Sequence, residues 1–379
     1  MILYLTHNDA PGGVYRSQVA DVVAHLNALG PEPVRLVALV SLRGYWGQRR
    51  AIRRMCPGAW VLPMVPGVRR WRANARLLGL LCRILRPQGI VARGPFAAWM
   101  ALRQRDRGLA HRVCFDARGA YAAEWEEYRI VDDASLIMQA AEAEQRALQE
   151  SDLCLAVSHA LVAWWQERYG SVVSPHVVVP CTLSREALAQ PLERGDARTK
   201  WGYGPADVVL AYAGSVAGWQ SLADLDVSLA PLMEQQPAVK LLFLSRPDPV
   251  IDALAARFPG RVQRLWTGPE EVPSLLAACD HGLLLREASV TNRVASPVKF
   301  AEYLHAGLPV LISPQIGDCS AWVQREQAGS VWGPGMAPPR LHPTDPATRR
   351  RMRELAVARF SKSAYAAEYR RLIEMLTAP

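Results

Sequence analysis

The sequence predicts an α/β chain made of two Rossmann-like halves. Short aliphatic runs of strand length alternate with helical patterns along nearly all of its 379 residues. That alternation is what a parallel sheet covered on both faces requires. The chain opens on the apolar run Ile2-Leu3-Tyr4-Leu5, then Thr6-His7-Asn8-Asp9-Ala10-Pro11-Gly12-Gly13, then a helical stretch from Val14 to Leu29 that stops at Gly30. Strand, glycine loop and helix in that order begin a Rossmann-type domain. The same order returns at Val208 to Ala213, Gly214-Ser215-Val216-Ala217-Gly218 and a helix from about Ser221 to Gln235. The length suits two domains of ordinary size, with the ligand cleft expected between them.

The elements follow one another with recognisable punctuation. Val34 to Val40 reads as the second strand. An arginine-rich region comes next, with a helix over Trp71 to Leu85 and a strand at Gly89 to Ala92. Val113 to Asp116 is a further strand that runs into Ala117-Arg118-Gly119. Ala134 to Glu150 has clear helical spacing. Leu153 to Val157 is a strand, and Ser158 is placed to cap a helix from Ala160 to Tyr169. Val177 to Pro180 closes the first domain, residues 1–185. The polar stretch 186–204 reads as a linker, and 205–360 as the second domain. There the expected strands are Lys240 to Ser245, Val262 to Leu265 and His281 to Leu285, with a helix over Val272 to Ala278. A last helix covers roughly Ser363 to Leu376, after a proline-rich stretch.

Half the residues are hydrophobic and 21% are charged, which is a globular balance. The net charge is +9, carried by 40 arginines and only 4 lysines. From Arg43 to Arg118 there are 17 arginines and two acids, with Trp46, Trp60, Trp71 and Trp99 among them. A basic, tryptophan-bearing region 43–118 suits an anionic membrane face or a polyanion; it equally describes a solvated face whose arginine stems cover apolar surface. No nucleic-acid module is recognisable, so no nucleic-acid partner is expected. Seven cysteines lie scattered, with no Cys-x-x-Cys pair, which is cytoplasmic usage with no zinc site implied. Met1 opens directly on an apolar run, so no signal peptide is expected. No apolar run approaches the ~20 residues of a membrane span, so membrane contact would be peripheral.

The stretch Ser296-Pro297-Val298-Lys299-Phe300-Ala301-Glu302-Tyr303-Leu304-His305-Ala306-Gly307-Leu308-Pro309-Val310 reads as loop, helix, turn, strand. Ser296 is expected at the N-cap, Pro297 at the first helical position and Gly307 just past the end. Lys299 and Glu302, three apart, share a face near the helix start. Free N–H groups and the positive end of the helix dipole make that a phosphate site. The lysine can pair with a diphosphate, and the carboxylate can accept from ribose hydroxyls. An ordinary surface Lys–Glu pair is the alternative.

Tyr212-Ala213-Gly214-Ser215, then Glu271 to Asp280, then Ser296 to Val310 resemble the donor-binding domain of GT-B glycosyltransferases of the family 4 type. The resemblance covers about residues 208–320; the first half matches only at the Gly12-Gly13 loop, Ser151 to Ser158 and Val177 to Pro180. Asp116-Ala117-Arg118-Gly119 is similar to a stretch in some bacterial surface-polysaccharide transferases. The resemblance implies two Rossmann-like domains facing a central cleft, with a C-terminal helix, 361–379, packing back on the first. By position it implies Glu302 on the donor ribose, Lys299 at the diphosphate and Gly214 as the glycine of the first donor loop. Two departures stand out. The acid expected eight residues before Glu302 is Val294, and the basic residues expected after Gly214 are Ser215 and Gln220. Arg286, Arg293 and Lys299 are then the candidates for holding the pyrophosphate, with Ser296, Ser215, Gly12 and Gly13 at the donor.

A retaining transfer is implied, in which the leaving phosphate takes the acceptor proton. No metal or cofactor is expected beyond the nucleoside-diphosphate sugar, because fixed cations supply the charge. Inversion would need a base, for which Asp116 is the candidate, with Arg118 beside it and Glu124 behind. Arg16 and His159 read as surface residues, and His7 lies at a strand end. The expected function is transfer to a glycan or lipid-linked acceptor in bacterial surface-polysaccharide synthesis. Alternatives are a soluble natural-product or protein glycosyltransferase, an epimerase of similar fold, and a non-catalytic nucleotide-sugar binder.

Overall fold

The computed structural model describes residues 1–170, 174–190, 195–214, 222–268 and 270–378. They form two compact units, Met1–Ser184 with Lys362–Pro379, and Arg185–Ser361.

The first unit is built on seven parallel strands. They are β1 (Ile2–His7), β2 (Val34–Val40), β3 (Trp60–Pro63), β4 (Gly89–Arg93), β5 (Arg112–Asp116), β6 (Leu153–Ala156) and β7 (His176–Val178), in the order β3-β2-β1-β4-β5-β6-β7. The order reverses between β1 and β4, so their carboxyl ends flank the switch point where open α/β sheets bind ligands. β1 is wholly apolar up to Thr6 because both its faces are covered, and Tyr4 sits in register with Leu36 and Val91. The helical stretch after Gly12-Gly13 is not a uniform α-helix. Arg16–Ala20 is a π turn between Gly13–Tyr15 and Asp21–Leu29. One residue is accommodated there without breaking the helix, a local distortion common at functional sites.

The helix Ala366–Thr377 belongs to this first unit although it is last in sequence. Tyr369, Leu372, Ile373 and Leu376 are buried with Val22, Leu26 and Cys114. Gly89 makes room for it: a Cβ there would lie 2.7 Å from the Cβ of Leu376.

The second unit has six parallel strands: β8 (Val208–Ala213), β9 (Val239–Leu244), β10 (Val262–Leu265), β11 (His281–Leu284), β12 (Val310–Ile312) and β13 (Gly329–Val331). Their order is β10-β9-β8-β11-β12-β13, with the switch point between β8 and β11. The segment expected to be an irregular linker instead carries short helices at Arg185–Ala189 and Gly195–Lys200 and belongs to this unit. Its polar residues anchor it. Buried Arg198 donates to Asp280 Oδ2 at 2.9 Å and to the carbonyls of Ala278, Gly204 and Asp207. Asp280 in turn accepts from the amides of Val209 and Thr344. Among the described residues no helix is long and apolar enough to cross a membrane.

Candidate functional site

In the second unit the chemistry gathers around the helix Val298–His305, which fills the crossover from β11 to β12. Its start differs from the sequence expectation. Pro297, not Ser296, occupies the N-cap, with φ −69° and ψ 124°, and the helix begins at Val298. The proline ring keeps Ser296 out of helical backbone space, and Pro297 itself stays extended in ψ. Its carbonyl accepts from Phe300 N at 3.1 Å, which closes a tight first turn. The far end is as expected. Gly307 has φ +82°, its amide donates to Leu304 O, and Leu308 N donates to Tyr303 O. That pair of bonds is a Schellman stop.

Lys299 Nζ donates to Glu302 Oε2 at 2.7 Å, and both side chains are about one-third exposed. A cation and a carboxylate thus stand together at the helix start, where the backbone amides lack the i−4 partners of the helix interior. Tyr303, on the next position, is fully buried. Its hydroxyl accepts from the amide of Ala213 at 2.7 Å, and burial pushes its pKa up, so it stays a phenol. Its ring lies against Gly282, where a Cβ would fall 2.4 Å from Tyr303 Cγ. The helix is therefore pinned to the carboxyl end of β8, directly before Gly214. Neither Tyr303 nor Gly282 is conspicuous in the sequence. A tyrosine inside an apolar helix and a glycine inside a strand are the only signals.

Arg286 follows β11. Its backbone amide donates to Ser313 Oγ at 2.8 Å, joining the ends of β11 and β12, and its Nη1 donates to Asn292 Oδ1 at 3.2 Å. Asn292 is buried and spans the loop by donating to Glu287 O. Arg293 is exposed at the end of the one-turn helix Val290–Arg293. Val294 is wholly buried, so the position where the resemblance implies a second acid belongs to the core. Ser215 and Gln220 lie outside the described residues.

The first unit holds a second polar centre, at the carboxyl ends of β1, β4 and β5. Asp116 is 2% exposed. Tyr4 donates to its Oδ2 at 2.5 Å, Arg118 Nη1 donates to its Oδ1 at 3.3 Å, and Arg93 Nη1 lies 3.6 Å from Oδ2. Arg118 also donates to Gln18 Oε1 at 2.9 Å and to Cys181 Sγ at 3.1 Å. Gln18 reaches Thr182 O at 2.6 Å from the π turn. Arg93 Nε stands 3.8 Å from Asp9, the acid after β1. Burial raises the pKa of Tyr4 and of Asp9, and Asp116 pushes both the same way. Burial pulls Arg93 and Arg118 down, but Asp9 and Cys181 respectively, with Asp116, more than restore them. Asp116 and Arg118 are thus brought together as expected by their spacing, but within an interior network rather than at an open surface. Arg93, Tyr4, Asp9 and Gln18 were missed by sequence reasoning here, although for Arg93 a charge ending the run Ile90-Val91-Ala92 carries the same signal as Asp116 after β5.

Around this centre, His7 is pushed down to about 4 by burial, so its imidazole is neutral at pH 7. Tyr121 is close enough that a Cβ on Gly94 would meet its hydroxyl at 3.0 Å. Glu124 lies in the first turn of the helix Tyr121–Tyr128, its pKa raised by burial and then by Glu127. Gly12 and Gly13 have no atoms within 4 Å of where a Cβ would stand. Arg16 and His159 are exposed. Among the described residues no three His, Cys, Asp or Glu side chains gather as metal ligands do.

No family model and no curated protein matches the sequence. Solved structures do match over the full chain. The fold is similar to that of sucrose-phosphate synthase from Thermosynechococcus elongatus, with 15% identity, TM-score 0.69, and 100% of this chain and 99% of that one covered. It is similar to Anabaena HepE in complex with UDP, with 13% identity, TM-score 0.72, and 98% and 99% covered. It is also similar to WaaG, a glycosyltransferase involved in lipopolysaccharide biosynthesis, with 17% identity, TM-score 0.58, and 99% and 95% covered. The chain has the fold of these proteins, GT-B, with its two Rossmann-like parallel sheets.

Proposed function

We propose that the protein is a glycosyltransferase that moves a sugar from a nucleoside diphosphate to a glycan or lipid-linked acceptor, in the synthesis of a bacterial surface polysaccharide. One observation carries this reading. Lys299 and Glu302 stand at the start of a helix that Tyr303 pins to the carboxyl end of β8. Structures of the similar HepE hold UDP, UDP with glucose, and UDP-glucose, which supports a nucleoside-diphosphate sugar as donor.

In this reading Glu302 accepts from the ribose hydroxyls through the oxygen that Lys299 does not occupy. Lys299, Arg286, Arg293 and the first amides of the helix receive the diphosphate. As the bond to the sugar breaks, charge grows on the departing phosphate. Cations already in place stabilise it without reorganising, and no metal is required. The acceptor attacks on the face the phosphate leaves, the phosphate takes the acceptor proton, and configuration is retained. The state of Asp116 supports this over inversion. A general base must reach the proton it removes, whereas both oxygens of Asp116 are engaged by Tyr4, Arg93 and Arg118. Asp116 and Arg118 instead hold the ends of β1, β4 and β5 in place.

The test is a thermal-shift panel of UDP, GDP, CMP, dTDP and ADP, each with and without Mg²⁺. A ligand that binds only the folded state raises the melting point. One nucleoside diphosphate should do so irrespective of metal. Glu302→Ala should weaken its binding about tenfold to a hundredfold, the worth of hydrogen bonds to a charged group. Unchanged affinity in a folded Glu302→Ala protein would refute the donor site. Val294, buried where a second acid is implied, favours one other outcome: binding without turnover of any donor, which would make the protein a nucleotide-sugar binder.

A further inference from the structure

In a parallel sheet all carboxyl ends lie along one edge. In the first unit the loops after β2 and β3 therefore share an edge with Asp9, Arg93 and Asp116. Those two loops carry large apolar side chains in the open. Leu42 is 52% exposed, Trp46 is 73% exposed and Val68 is 54% exposed. Leu42 follows β2, Trp46 is the second residue of the helix Tyr45–Met55, and Val68 begins the short 3-10 turn Val68–Ala73.

Positive charge surrounds them. Residues 33–105 hold 15 arginines and no acid. On the helix Tyr45–Met55, Trp46, Arg49, Arg50, Arg53 and Arg54 recur at helical spacing and line a groove of about 500 Å³. Arg49 stacks over Trp46 at 5.6 Å, and Arg53 donates to Ala59 O. Arg43, Arg50 and Arg54 meet no carboxylate among the described residues. Arg69 does, pairing with Asp133 at 2.5 Å, so its charge is already met.

We propose that this rim docks the protein on an anionic lipid surface. Leu42, Trp46 and Val68 enter the headgroup layer, and the arginines of the groove take lipid phosphates. A double-stranded polyanion would use the arginines but leaves exposed Leu42 and Val68 without a partner. Strands lie about 4.8 Å apart. β2 is next to β1 and β3 one further out, so the rim sits on the order of 10 Å from the polar centre at β1 and β4. A lipid-linked acceptor held in the same surface would be presented along that edge of the sheet. Only this use of the docking rests on the transferase reading; the docking itself is independent of turnover.

The test is flotation of the full chain with vesicles of phosphatidylcholine alone and of an equimolar mixture with phosphatidylglycerol. Binding is expected to the anionic vesicles and to fall with salt. Arg50→Glu with Arg54→Glu should weaken it by more than about tenfold, as each cation near such a surface is worth roughly fivefold. Leu42→Ser with Trp46→Ser should also weaken it, with an unchanged melting temperature showing that the fold is intact. The proposal is overturned if anionic vesicles do not bind, or if neutral ones bind as well. It is also overturned if a short DNA duplex binds as tightly as vesicles while the serine variant behaves as wild type. A failed nucleotide panel with successful flotation would sink the donor site and leave the docking standing.

Discussion

Asp116 shows how one side chain can organise a strand end. It is nearly inaccessible and faces two guanidinium groups and a phenol. Asp116→Ala would leave Arg93 and Arg118 buried with a partner lost. Such a change costs about 3–5 kcal/mol, and urea unfolding should show it. Glu144 offers a sharper test because its behaviour depends on pH. It is fully buried on the helix Ala134–Glu150, accepts from Tyr169 Oη at 2.8 Å, and has its pKa pushed up to about 7 by that burial. A carboxyl raised in the folded state binds its proton there more tightly than in the unfolded chain. Stability is then greatest below the unfolded value and is lost as pH rises toward 7. Glu144→Gln removes the titration. The difference in unfolding free energy between wild type and variant should therefore move in favour of the variant between pH 5 and pH 8, by about 3 kcal/mol. A difference constant with pH would show that Glu144 is not held protonated.

At the scale of elements, the helix Val298–His305 packs through Phe300 on Trp322 and Phe360, and is tied to the sheet by a contact with β11 and a bond to β8. Gly282→Ala would drive a Cβ into the Tyr303 ring. The rigid ring cannot yield without moving the helix, so a loss of about 1–3 kcal/mol is expected, typical of overpacking. Tyr303→Phe keeps the packing and removes the hydroxyl. The buried amide of Ala213 is left unpaired, at about 1–3 kcal/mol. Both variants should weaken nucleoside-diphosphate binding in calorimetry, because each loosens the helix start from the Gly214 loop. The helix itself was legible from Gly307, the Lys–Glu spacing and the apolar run, with an error of one residue at its start. The helix Ala134–Glu150 and the cap at Ser158, which accepts from Leu161 N, follow their sequence patterns closely. Other elements were silent for physical reasons. The helix Pro95–Arg105 is buried on nearly all sides and so shows no polar face. The strands β3 and β13 are short edge strands whose burial is incomplete. The helix Pro346–Phe360 looks like an arginine-rich tail, yet Arg349 is buried and donates to the carbonyls of Cys279, Ala277 and Ala306. Polar residues in structural roles are what patterns of hydrophobicity misread, and the same misreading made 186–204 a linker.

For the whole molecule the informative feature is that the last eighteen residues complete the first unit rather than the second. Tyr365, Tyr369, Leu372, Ile373 and Leu376 are all buried in that unit's core, and Lys362 Nζ donates to Leu183 O at 2.9 Å. Burying each large apolar side chain is worth roughly 1.5–3 kcal/mol, so the helix supplies on the order of 10 kcal/mol. A whole domain is commonly stable by only about 5–15 kcal/mol. Ending the chain after Ser361 should therefore unfold the first unit, while the second retains its own six-stranded sheet. Limited proteolysis should then cut the truncated chain within residues 1–184 and spare 185–361. A nucleoside diphosphate that stabilises the full chain should still protect the second unit, since Lys299, Glu302 and Arg286 all lie within it. If the truncated protein resisted proteolysis in both units, the C-terminal helix would be an accessory rather than part of the first core. If the second unit also became sensitive, its fold would depend on the first. The predicted result is between these, with one half lost and the nucleotide-dependent half intact.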